Sequence, residues 1–314
     1  MVGYLIRRIL QSLIVVIGVT IITFILLHLL PGNPIRAILG PRASNADVAQ
    51  LTKQLGLDRP LPVQYLLWLW NLVHFDLGYS YRQTASVDSL LAQRLPNTLL
   101  LVGTSTILAI LMAIPLGVMQ AVRRNRPDDY ALTGLSFVFY SMPTFLLGIM
   151  LIVLFSATLN WLPPEAPQAQ GALLSQVNAL VLPVATLTLV TVALFSRYMR
   201  SSMLENLVQD YVRTAKAKGV SNRSVLFKHV LRNALIPVLT LVGLSIPGII
   251  SGAVVTETVF NYPGMGYLFF IAAQNNDFPV LLGVTVVVAV ATVLGSLVAD
   301  ILYAVADPRI RYVS

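Results

Sequence analysis

Residues 278–299 read FPVLLGVTVVVAVATVLGSLVA, from Phe278 to Ala299, without one Asp, Glu, Lys or Arg. As a helix this stretch is about 33 Å long, enough to cross the roughly 30 Å hydrocarbon core of a bilayer. Five further charge-free stretches lie between Ile9 and Arg36, Leu95 and Val122, Tyr130 and Pro164, Ala166 and Ser196, and Asn233 and Thr256. Trimmed at Pro, Gly and polar clusters, the six predict spans at 9–30, 97–121, 133–157, 173–196, 234–256 and 279–301. Composition agrees. Of 314 residues 56% are apolar and only 11% charged, with a mean hydropathy of +0.78, against about a quarter charged in a soluble domain. There is too little polar surface to cover a water-facing body, so the chain reads as an all-α, polytopic membrane protein with six transmembrane helices.

The third span is the one with a competing reading. Pro143 removes a donor inside it and kinks a helix, although neighbours in a bundle can re-satisfy the freed carbonyl. A short surface helix before Pro143 followed by a span is the other possibility. The first span follows the basic pair Arg7 and Arg8 and so resembles a secretory signal. Its apolar run is too long for a cleavable core and ends in Leu-Leu-Pro31-Gly32-Asn33-Pro34 instead of a small-residue cleavage site, so it is expected to stay attached.

Basic residues set the orientation, because cytoplasmic connections retain them. Fifteen of the 21 Lys and Arg fall at the N-terminus, at 123–126, in the eight between Arg197 and Arg232, and in the tail at Arg309 and Arg311. The third and fifth connections carry only Glu165, Glu257 and Asp277. Both termini are therefore expected in the cytoplasm and 31–94 outside. A net charge of +8 by itself would allow nucleic acid as a partner, but basic residues gathered mainly on one face of a membrane protein argue for no nucleic acid. Zero cysteines exclude a disulfide framework, thiolate zinc or iron–sulfur sites and a cysteine nucleophile.

Within 31–94 the run Tyr65-Leu66-Leu67-Trp68-Leu69-Trp70-Asn71-Leu72-Val73 is apolar at nearly every position. It reads as an interfacial helix with tryptophans at headgroup level, or as a surface for a soluble partner. The cytoplasmic stretch Tyr211-Val212-Arg213-Thr214-Ala215-Lys216-Ala217-Lys218-Gly219-Val220 carries helix formers, cations in the last turn and a glycine placed as a left-handed stop. Ser221 or Asn222 is placed to cap a second helix through Val225, Leu226, Val230 and Leu231 into Pro237. Composition alone favours an ordinary basic, solvated loop here. Residue order is more specific: small alanines admit a second backbone, Gly219 lets the chain reverse, and the cations suit an acidic partner surface.

That order resembles the coupling signature of ABC importer permeases, Glu-Ala-Ala followed after three residues by Gly. Arg213, Thr214 and Ala215 stand at the Glu-Ala-Ala positions and Gly219 at the glycine. Arg213 in place of glutamate, and Pro237 later than the common spacing, match the variant of the dipeptide, oligopeptide and nickel branch. The likeness extends to the Leu-Leu-Pro-Gly-Asn-Pro exit of span one, Arg94-Leu95-Pro96-Asn97-Thr98, Tyr140-Ser141-Met142-Pro143-Thr144-Phe145, Glu257-Thr258-Val259-Phe260-Asn261-Tyr262-Pro263-Gly264-Met265-Gly266 and Asp307-Pro308-Arg309.

The resemblance implies a type I ABC importer permease in the inner (plasma) membrane. It implies a first unit at 1–94, the N-terminal helix with its extracytoplasmic loop, and a five-helix core at 95–314 with coupling helices around 197–232. It also implies Arg213, Thr214, Ala215, Lys216, Ala217, Lys218 and Gly219 as the contact with two ATPase subunits, a homologous second permease, an extracytoplasmic binding protein, and ATP with Mg held by the ATPases and not by this chain. No Gly-x-x-x-x-Gly-Lys-Ser/Thr occurs, so nucleotide phosphates find no cradle in this chain. His28, His74 and His229 are scattered and read as structural, with no metal site. Gly248-x-x-x-Gly252 reads as close helix packing, with a hinge or kink as the alternative. The trimmed spans are essentially uncharged until Asp300, which disfavours an ATP-independent secondary carrier and a membrane hydrolase alike. The chain is expected to be no enzyme but a conduit. Many Ser, Thr, Asn and apolar side chains favour di- to oligopeptides over nickel or its chelates as cargo.

Overall fold

The computed structural model describes residues 2–29, 34–40, 42–166 and 177–306. The first helix, α1 (Val2–Leu29), is followed outside the bundle by α2 (Pro34–Leu39), α3 (Asn45–Gln54), α4 (Leu61–Val73) and a two-residue hairpin, β1 (Tyr79–Ser80) antiparallel to β2 (Ala85–Ser86) with Tyr79 opposite Ser86. Then come α5 (Val87–Val122), α6 (Pro127–Ser141), α7 (Thr144–Thr158), α8 (Asn178–Leu207), α9 (Asp210–Ala217), α10 (Asn222–Ser251), α11 (Val254–Val259), α12 (Met265–Gln274) and α13 (Phe278–Ala306). Among the described residues α5, α8, α10 and α13 are long and apolar enough to cross a membrane, while α1 contributes the shorter apolar stretch Leu13–Leu29. The start of the predicted 173–196 span, and the tail with Asp307, Pro308, Arg309 and Arg311, lie outside the described residues.

Three expectations need correction. The predicted 133–157 span is not one rod: α6 and α7 meet at an angle of 105°. Pro143 offers no N–H and drives Met142 into extended backbone, φ −77° and ψ 127°, as a residue before proline prefers. Each limb is roughly 22 Å long, short of a bilayer core. The predicted 234–256 span stops at Ser251, because Gly252 takes φ +83° and a new helix starts at Val254. Within this chain the glycine pair at 248 and 252 therefore forms no shared helix-packing seam. A Cβ on Gly248 would meet nothing within 4 Å, and Gly252 is the break itself. Finally, the helix after Gly219 is not a separate cytoplasmic element; it passes through a π-helical stretch at Val225–Val230 and continues without interruption as α10.

Helix α5 packs along α8, α10 along α13, and α1 along α13. Lipid offers helices no hydrophobic drive to associate, so close approach and interhelical hydrogen bonds matter. Both occur between α5 and α8. A Cβ on Gly117 would stand 2.5 Å from the Met199 Cβ and 2.8 Å from the Ser196 carbonyl oxygen, so only glycine permits this crossing. Thr188 Oγ1 donates to the Ser105 carbonyl at 3.3 Å. Buried apolar side chains gather into one cluster around Phe24, Val87, Leu91, Met265 and Val280, and a second around Ala121, Met199, Met203, Val225 and Val230.

Candidate functional site

The stretch 210–224 folds as a helix, a glycine turn and a helix. The end of α9 is closed by two bonds, Val220 N–H to the Ala215 carbonyl at 3.2 Å and Gly219 N–H to the Lys216 carbonyl at 3.0 Å. With Gly219 at φ +79° this is a Schellman cap, which satisfies the last carbonyls by placing one left-handed residue after the helix. Ser221 then caps α10, its Oγ accepting from Ser224 N–H at 3.4 Å. Val212 and Ala215 are buried in the second apolar cluster with Met203 and Val225, and Tyr211 Oη donates to Asn206 Oδ1 at 2.8 Å. These contacts clamp α9 onto the ends of α8 and α10.

Of the seven residues expected to face a partner, Arg213, Thr214, Lys216, Ala217, Lys218 and Gly219 are exposed. Ala215 faces inward, so its small size serves the fit of α9 to its own chain. Ala217 and Gly219 are the small residues that the surface offers. The Arg213–Asp210 pair, at 3.6 Å and fully in solvent, contributes little. Beside the hairpin, the Arg200 guanidinium grips the buried Asp129 carboxylate with two bonds of 3.0 and 2.9 Å, tying the start of α6 to the end of α8 with the bidentate geometry that makes such pairs strong.

At the opposite end lies a constellation that sequence reading did not find. Glu257, taken as an ordinary charge in an outer connection, has no exposed surface. Its Oε1 accepts from Thr98 Oγ1 at 3.0 Å and Ala253 N–H at 3.3 Å, and its Oε2 accepts from Tyr267 N–H at 2.8 Å. Thr98 in turn accepts from Met265 N–H at 2.7 Å. Asn97 completes the join, donating from Nδ2 to the Pro263 carbonyl at 2.8 Å and accepting at its own carbonyl from Tyr262 Oη at 2.6 Å. The motifs 94–98 and 257–266 are thus two halves of one assembly, linking the start of α5 to the break after α10. Cβ atoms on Gly252 and Gly264 would stand 2.7 and 2.5 Å from atoms of the Glu257 carboxyl. Those glycines were the available signal, since a carboxylate buried this tightly needs bare backbone around it.

The family described as binding-protein-dependent transport system inner membrane component matches residues 113–312, and its N-terminal companion matches residues 1–102. The oligopeptide transport system permease protein AppB of Bacillus subtilis is 45% identical over 99% of this chain and 100% of its own length. A putative peptide permease protein of Brucella ovis is 42% identical over 99% of both chains. A probable peptide ABC transporter permease protein of Sinorhizobium fredii is 40% identical over 98% of this chain and 99% of its own. Among solved structures, the MetNI methionine ABC transporter in inward-facing conformations shares the fold, with a TM-score of 0.53, 15% identity, and coverage of 69% of this chain and 96% of that one.

Proposed function

Because the chain belongs to the family of binding-protein-dependent transport system inner membrane components, we propose that it couples ATP hydrolysis in partner subunits to peptide import through the exposed residues of the 213–219 hairpin. It is a multi-pass membrane protein and a permease subunit. The observation that carries the coupling reading is the hairpin itself: a short helix clamped inward by Val212 and Ala215, capped at Gly219, and presenting Arg213, Lys216 and Lys218 outward.

Peptides as cargo rest on relatives named as oligopeptide and peptide permeases that match end to end. Two ATPase subunits carrying ATP and Mg dock under the hairpin and its counterpart on a second permease, and a binding protein delivers cargo at the outer face. Both termini and 197–232 face the cytoplasm, where the basic residues gather. This chain contributes pathway and coupling surface, and bond-breaking chemistry belongs to the ATPases. Closure of the ATPase pair pushes on the hairpins and shifts the bundle between inward-open and outward-open states.

Uptake of labelled di-, tri- and pentapeptides and of radioactive nickel, in cells with and without this chain, tests the cargo. Loss of peptide uptake with nickel unchanged is expected. Loss of nickel uptake alone, with peptide uptake intact, would overturn the assignment.

A further inference from the structure

A cavity of about 330 Å³ opens between α1, α4 and the start of α13, at the outer end of the molecule and away from the coupling hairpin. Its walls are graded. Along α1 the lining passes from Phe24 to His28, and along α13, which runs the other way, from Leu282 to Phe278 and then Asp277. Both walls are therefore apolar at depth and polar toward the outside. Tyr65 of α4 shares a hydrogen bond of 3.0 Å with Thr20, which lies in the middle of the apolar stretch Leu13–Leu29. Helix α4 thus lies beside α1 at the depth of the outer leaflet.

Beside the cavity, α1 and α4 expose apolar side chains. Ile14, Ile22 and Leu26 on α1 are exposed, as are Leu66, Trp70 and Val73 on α4, and α4 contains no charged residue. Several polar groups at the rim are already engaged. His28 bonds the Phe24 carbonyl through Nδ1 and Gln64 through Nε2, and Asp277 accepts from Ser80. Trp68 Nε1, by contrast, is buried without a hydrogen-bond partner among the described residues, and Arg82 lines the mouth within electrostatic reach of the Asp277 carboxylate but in no close ion pair among them. An indole N–H and a guanidinium are donors only. A buried donor left unmatched costs about 1–3 kcal/mol. The complementary ligand is rich in acceptors at its outer end and apolar at its inner end.

We propose that this cavity is a binding site for one outer-leaflet phospholipid, its acyl chain against Phe24, Trp68 and Leu282 and its phosphate at Arg82. The site holds α4 against α1 and does not belong to the cargo pathway.

Tryptophan fluorescence reads it directly, because the chain has three tryptophans and Trp70, on the same helix, is 65% exposed. Two variants of the full chain, one keeping only Trp68 (Trp70→Phe, Trp161→Phe) and one keeping only Trp70 (Trp68→Phe, Trp161→Phe), are titrated in detergent with phospholipid brominated in its acyl chains. Trp68 quenching is expected to saturate near one lipid per chain, while Trp70 quenching follows the lipid mole fraction. Arg82→Gln should weaken the saturable phase by about tenfold, as expected for loss of a charge-assisted contact. If Trp68 follows mole fraction as Trp70 does, the site does not exist. Relief of the quenching by a tripeptide would give the cavity to cargo and overturn the lipid assignment. Native mass spectrometry of the unsubstituted chain is the independent measurement. One phospholipid retained more firmly than by Arg82→Gln is expected, and equal retention would refute the proposal.

Discussion

At position 219 the backbone is left-handed and a Cβ would meet open space, so a side chain there costs backbone strain and not collision. Gly219→Val should impose roughly 1–3 kcal/mol on the turn, leave membrane insertion intact and abolish peptide uptake. Gly219→Asn, which tolerates the left-handed region, should keep most of it. Wild-type uptake by the valine variant with the ATPases still bound would remove the hairpin from the coupling path. Glu257 is the opposite case, a side chain whose value is its partners. Glu257→Ala strands the Thr98 hydroxyl and the Ala253 and Tyr267 N–H groups, each worth about 1–3 kcal/mol when buried and unmatched. A fall in melting temperature in detergent is expected, smaller for Glu257→Gln, which keeps one carbonyl oxygen. An unchanged melting curve for the alanine variant would mean that the outer assembly does not depend on this carboxylate.

Between elements, α5 and α8 cross closely at Gly117. Gly117→Val should push the helices apart and lower thermal stability by several degrees. Met199→Ala in the same chain should restore part of that loss, because the two substitutions share one contact and so fail to add; strictly additive losses would show that the crossing is not limited there. Helices were legible from their charge-free lengths, since bilayer thickness fixes how long an apolar run must be. Their interruptions were not. Pro96 and Pro115 sit inside an unbroken α5 and Pro183 inside α8, whereas Pro143 turns the chain by 105°. Identical local chemistry gives different outcomes because neighbouring helices decide whether a freed carbonyl is satisfied. Glu257 escaped notice for a related reason: one charge just beyond an apolar run looks like a loop residue until Thr98, far away in sequence, supplies its donor. Residues 213–219 were legible as a turn from Gly219, but the inward turn of Ala215 depends on Met203 and Val225, which no local pattern reveals.

For the molecule as a whole, the proposed orientation is open to a direct check, since no native cysteine needs removal. Glu205→Cys, near the hairpin, should resist an impermeant thiol reagent added to intact cells and react once they are opened; labelling in intact cells would invert the topology. The feature that joins the two ends is α10, which leaves the Ser221 cap at the hairpin and stops at Gly252, against the Glu257 carboxylate. Thirty residues make it a lever about 45 Å long. A tilt of only about 5° moves its far end by roughly 4 Å, more than the hydrogen bonds around Glu257 can stretch. Under the proposed coupling, a stroke delivered at the hairpin arrives at the far end of α10 as a choice between keeping those bonds and releasing them. A lever transmits load both ways, and binding linkage is reciprocal: under that proposed coupling, a ligand that loosens Glu257 at one end changes by the same factor the affinity of a partner held at the other.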